Sequence, residues 1–110
     1  MRVFNINGIA SGYESLTTAT AVGFTSAKIL PTTGSFAGKR ARAALISVEV
    51  ADIRFTEEGT TPVVTGASEA GHLLYNGYSK YIVGEQNVAN FKCINAVNAS
   101  GAIVKCTYYF

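Results

Sequence analysis

From Ala43 to the final Phe110 the chain reads as one short strand after another, each closed by turn residues, with no helix of useful length. The run opens with Ala-Ala-Leu-Ile-Ser-Val-Glu-Val over 43–50 and closes with Ala-Ile-Val-Lys-Cys-Thr-Tyr-Tyr-Phe over 102–110. Successive side chains of a strand point to opposite faces, so Ala44, Ile46, Val48 and Val50 are expected to look into the core. The same alternation turns Ile53 and Phe55 inward and Asp52, Arg54 and Thr56 outward. Glu57-Glu58-Gly59 turns the chain with Gly59 as the left-handed residue, and Pro62 marks an edge or a strand start. After His72-Leu73-Leu74-Tyr75, the pair Asn76-Gly77 is the strongest hairpin signal in the chain, and 78–83 is the returning strand. Residues 85–90 read as a single helical turn, 91–97 as another strand, and Asn98-Ala99-Ser100-Gly101 as the last turn.

Residues 1–42 are more loosely patterned. A strand is expected over 2–7, a turn-rich break over 8–12, weak alternation over 13–17, and a further strand over 26–30 stopped by Pro31. This zone is expected to hold edge strands and at least one extended arm, whose small residues over 11–26 would let it lie flat against another backbone or add a strand to a neighbour's sheet. Seven to eight short antiparallel strands in 110 residues argue for one all-β domain, a sandwich or barrel, and exclude helical bundles and βαβ folds. A chain of this length buries roughly two-thirds of its unfolded surface and stands without staples.

Charge narrows the partners. Charged residues make up only 15% of the chain and the formal net charge is +2. That suits a protein whose surface is partly covered by another protein, and it is too small for the basic stripe of a nucleic-acid binder. No run approaches membrane-spanning length, and Met1-Arg2 leads into a short alternating stretch in place of a signal peptide, so synthesis in a cytoplasm is expected. The two cysteines, Cys93 and Cys106, flank the 98–101 turn and would oppose each other on paired strands. A cytoplasmic origin favours reduced, buried thiols over a bridge.

Little in the chain carries chemistry. Gly34-Ser35-Phe36-Ala37-Gly38-Lys39-Arg40 lacks the spacing and the terminal Ser or Thr of a phosphate loop. His72 beside two leucines reads as a strand-start histidine without catalytic companions. Asp52 and Arg54 share a strand face and would form a surface pair. Glu57 and Glu58 lack the alternating ligands of a calcium loop. No catalytic residue, metal site or cofactor is expected. What remains are contact residues: the basic cluster Lys39, Arg40 and Arg42, and the tyrosines Tyr75, Tyr78 and Tyr81 as aromatic anchors.

Several segments, taken together, resemble a set of small virion proteins encoded by tailed bacteriophages and prophages. They are Ala21-Val22-Gly23-Phe24-Thr25-Ser26-Ala27, Ala44-Leu45-Ile46-Ser47-Val48-Glu49, Ala51-Asp52-Ile53-Arg54-Phe55, Gly59-Thr60-Thr61-Pro62, Gly71-His72-Leu73-Leu74, Asn90-Phe91-Lys92 and Thr107-Tyr108-Tyr109. They fall in the expected order over about the last four-fifths of the chain. The resemblance implies a non-enzymatic structural component of a phage particle, a β-sandwich of the capsid decoration (cement) kind. Its partners would be the major capsid protein, other virion subunits or its own copies, with neither nucleic acid nor membrane, and its place the virion. A head–tail connector, a tail or fibre-associated protein, and a displayed carbohydrate-binding adhesive domain are the alternatives, the absence of Trp weakening the last.

Overall fold

A computed structural model describes residues 8–66 and 69–110. The expected strand over 2–7 lies outside the described residues. Among those described there are seven strands and two short helices: β1 (Ala10–Thr17), α1 (Ser26–Ile29), β2 (Ala43–Glu49), β3 (Ile53–Thr56), β4 (His72–Leu74), β5 (Ser79–Val83), α2 (Glu85–Asn90), β6 (Lys92–Asn95) and β7 (Ile103–Tyr109). All strand pairs are antiparallel. They form a four-stranded sheet in the order β1-β7-β2-β5 and a three-stranded sheet in the order β4-β3-β6. The all-β class expected from the alternation is what the chain adopts.

One core joins the two sheets. The large sheet contributes Ala44, Ile46, Val48, Ile82, Val104, Cys106 and Tyr108, and the small one Ile53, Phe55 and Cys93. Phe24 stacks on Phe91 with ring centroids 4.4 Å apart, and meets the edge of Tyr108 at 5.2 Å. Such aromatic pairs add roughly 0.5–1.5 kcal/mol beyond their area burial. Alternation thus placed Ala44, Ile46, Val48, Ile53 and Phe55 correctly.

Val50 and Thr56 depart from it. The Ala51 N–H donates to the Glu49 carbonyl at 2.9 Å, and Val50 between them has φ of 76°. That is a γ-turn of the strained hand; it ends β2 and throws Val50 outward, 61% exposed. Thr56 is buried because its Oγ1 donates to the Thr60 carbonyl at 2.5 Å, drawing the following loop over it.

Asn76-Gly77 makes a turn but no hairpin. β4 pairs with β3 in the small sheet, whereas β5 pairs with β2 in the large one. The edge of β2 competes successfully for the chain: Gly77 N–H donates to Val48 O and Val48 N–H to Tyr78 O. The 98–101 turn likewise crosses between sheets, from β6 to β7. Cys93 therefore lies opposite Phe55, and Cys106 lies between Glu14 and Ile46, so the two are not a cross-strand pair. Both are free and buried, and burial pushes each thiol up to about 12.

Two further expectations in the first forty residues change. Residues 26–30 hold one helical turn, Ser26–Ile29, closed by the Leu30 N–H to the Ser26 carbonyl at 2.9 Å, and this short run before Pro31 pairs with no described strand. The 11–26 stretch is extended in part but belongs to the molecule itself. β1 pairs along β7 through an irregularity at Gly12, where φ is 93°. Beyond it, Val22 exchanges both backbone hydrogen bonds with Cys93, covering the outer edge of β6. Leu16, Thr18 and Phe24 are buried along the way.

Glu14 and Lys80 close the two ends of one inward row of the large sheet, Glu14–Cys106–Ile46–Lys80. Glu14 accepts from the Tyr108 hydroxyl, the Thr25 Oγ1 at 2.5 Å and the Thr25 N–H at 3.0 Å. Lys80 Nζ sits 5.9 Å above the Phe55 ring. Inward charges on both edge strands discourage indiscriminate strand addition.

Candidate protein-contact surface

The strand directions sort the connections between two opposite ends. Residues 50–52, 75–78, 96–102 and 18–20 leave the sheets at the end of β2 marked by Glu49. Asp52 gathers them. Its Oδ1 accepts the Asn76 N–H at 2.8 Å, and its backbone carbonyl accepts the Ala96 N–H at 3.0 Å. Asp52 is therefore engaged with the turn and does not pair with Arg54. Arg54 instead staples the loop after β3, through Thr65 Oγ1 at 2.9 Å, the Gly71 carbonyl at 2.9 Å and Glu69 at 3.4 Å.

A second bracket under the same end is polar and buried. Asn95 Oδ1 accepts from Thr18 Oγ1 at 2.5 Å and from the Ala102 N–H at 3.0 Å, while the Asn95 N–H donates to the Thr18 carbonyl at 2.8 Å. On this scaffold stand four exposed apolar side chains: Val50, Tyr75 at 53%, Tyr78 at 61% and Val97 at 60%. The Tyr75 and Tyr78 rings meet edge to face with centroids 6.0 Å apart. A β-branched residue held at positive φ on an exposed tip is the kind of strain that gathers at functional sites.

The other end carries the basic cluster. The Gly38 N–H bonds to the Pro31 carbonyl, the Ala41 N–H to the Ile29 carbonyl and the Arg42 N–H to the Tyr109 carbonyl, each at 2.8 Å. Phe36 stacks on Phe110 at 5.0 Å, which fastens the same loop to the end of β7. Lys39, Arg40 and Arg42 are exposed there and border a depression of about 400 Å³ with Glu85 and Phe110. Arg40 and Glu85 also border a groove of about 420 Å³ between α1 and α2, lined by Ile29, Leu30 and Val88.

The six residues singled out from sequence thus occupy three places. The basic three share one end and Tyr75 with Tyr78 the opposite end. Tyr81 stands apart on the outer face of the large sheet, its ring 6.1 Å from that of Tyr109. Val50 and Val97 were missed. Alternation pointed Val50 inward, and nothing in the sequence announces the γ-turn that reverses it. Val97 stands immediately before the 98–101 turn, a position where an apolar side chain easily ends outside.

Neither thiol is suited to nucleophilic chemistry, because burial holds the proton on each at neutral pH. Tyr108 is raised as well, by burial first and by its bond to Glu14 second. Among the described residues no three His, Cys, Asp or Glu side chains come together as metal ligands, and no helix is long and apolar enough to cross a membrane. The arrangement offers protein-contact chemistry: aromatic and aliphatic area at one end, cations beside a groove at the other. No protein-family model, curated protein or solved structure matches the chain.

Proposed function

We propose that this protein is a non-enzymatic structural subunit of a tailed-phage particle, a capsid decoration protein that works by protein–protein contact. The observation that carries the contact reading is the tip formed by Val50, Tyr75, Tyr78 and Val97, exposed apolar side chains on loops tied together through Asp52. Tyrosine is among the residues that dominate contact energetics, and exposed apolar side chains gathered on one rigid end mark an interaction site more often than chance. The resemblance of the ordered segments from Ala21 to Tyr109 supplies the virion setting. The basic end gives the subunit a second surface, suited to acidic groups on a lattice neighbour.

Particles separated into heads and tails test the reading. The chain is expected to travel with heads, and heads lacking it are expected to lose their contents at lower temperature. Recovery with tails would move it to the head–tail connector or tail, and recovery only as free protein would overturn a virion role. Binding to a glycan array would favour the adhesive alternative.

A further inference from the structure

The two ends of the molecule complement each other. At the tip, the segments 50–52, 75–78 and 96–102 contain one charged residue, Asp52, and Glu49 adjoins them at the end of β2. At the opposite end Lys39, Arg40 and Arg42 crowd one depression, with Lys28 on α1 and Glu85 as the acidic neighbour. The tip carries exposed apolar side chains, and the far end holds a mainly apolar groove between α1 and α2 with Arg40 at its rim. An arginine at such a rim can lie over a tyrosine face while its charge meets a carboxylate.

We propose that the tip of one copy seats in the α1–α2 groove of a second copy, so that the protein self-associates head to tail. This rests on the reading of the tip as a protein-contact surface and names its partner. Tyr75, Tyr78 and Val50 enter the groove over Ile29, Leu30 and Val88, and Arg40 faces Glu49 across the rim, with Lys39 in the adjoining depression. The two patches are different surfaces of the same chain, so the contact is heterologous. Repeated, it builds a ring when the rotation closes and a filament when it does not.

The test is sedimentation velocity of the full chain and two surface variants, Tyr78→Asp at the tip and Arg40→Glu at the rim, with circular dichroism to confirm that each folds. Wild type is expected to associate with rising concentration and to do so less at high salt, because the rim charges are screened. Each variant alone is expected to lose at least about tenfold in association. Mixed in equal amounts they are expected to form a dimer and nothing larger, since one retains an intact groove and the other an intact tip. Wild type that stays monomeric to about 1 mM, or a mixture no more associated than its components, overturns the proposal. Cosedimentation of the same variants with particles separates the two claims. If wild type is monomeric yet Tyr78→Asp abolishes particle binding, the tip is a contact surface for a capsid subunit and only the head-to-tail pairing fails. If both variants bind particles as wild type does, the contact reading of the tip falls as well.

Discussion

Replacing Asn95 with alanine should unfasten the tip from beneath. The Asn95 side chain is only 2% exposed, and its Oδ1 receives both the Thr18 hydroxyl and the Ala102 N–H. After Asn95→Ala the Thr18 hydroxyl can turn to the Ala102 carbonyl, already 3.0 Å away. The Ala102 N–H loses its acceptor, and an unsatisfied buried donor costs about 1–3 kcal/mol. With the exchanged hydroxyl bond and the small void, the loss comes to about 2–3 kcal/mol, a substantial part of the ~5–15 kcal/mol that holds a domain together. Thr18→Val removes the hydroxyl but keeps the Ala102 N–H to Asn95 Oδ1 bond, and should cost only about 1 kcal/mol. Because both substitutions break the same Thr18–Asn95 bond, the double variant should be less destabilised than the sum by about 1 kcal/mol. Urea unfolding followed by far-ultraviolet circular dichroism gives all three values. Asn95→Ala milder than Thr18→Val, or a cycle additive to within about 0.3 kcal/mol, would refute the reasoning.

Alkaline pH should destabilise the fold. Cys93 and Cys106 are pushed from 9.0 up to about 12, so the stability they contribute is complete below about pH 9 and is lost as pH climbs towards 12, with Tyr108 acting in the same direction. Urea midpoints measured from about pH 8 to about pH 10.5 should fall, and Cys93→Ala should flatten that slope by up to about 1.4 kcal/mol per pH unit. Gly23→Ala should cost about 2–3 kcal/mol, because the added methyl carbon would lie 2.7 Å from the Phe91 carbonyl oxygen, a backbone atom beside the Phe24–Phe91 stack. A thermal melt within error of wild type would contradict it. Val50→Gly relieves a side chain at positive φ, worth about 1–2 kcal/mol, against about 0.5–1 kcal/mol of added chain entropy. It should leave stability unchanged or up to about 1.5 kcal/mol higher, and a clear fall in the melting temperature would argue against strain in that turn.

Alternation was legible wherever a strand has one face in the core, and it identified Ile46, Val48, Ile53 and Phe55 as inward residues. Pairing was not legible, because a turn signal reports that the chain bends and says nothing of which edge captures the next strand. Asn76-Gly77 bends as its composition demands, with φ of 89° at Gly77, yet the segment after it docks on β2. That one fact also undoes the inferred opposition of Cys93 and Cys106, since 98–101 crosses between the same two sheets. The short helix at Ser26–Ile29 escaped notice because four residues carry no period. The proposed contact residues were half visible: composition singles out Tyr75, Tyr78 and the cluster of Lys39, Arg40 and Arg42, but only the crossing topology brings Val50 and Val97 to the same end as the first pair. It also sends the cluster to the far end.

The position of Asp52 has one more consequence. Its carboxylate holds one crossing and its main-chain oxygen another, so two excursions of the chain, both running from the small sheet to the large one, are anchored to a single residue. A projection fastened in this way meets its target already shaped, and the entropy of freezing its backbone has been lost once, during folding, and need not be lost again on docking. Contacts made by such a projection can be small in area and still outlast thermal agitation, a useful property for a molecule of 110 residues with little surface to offer.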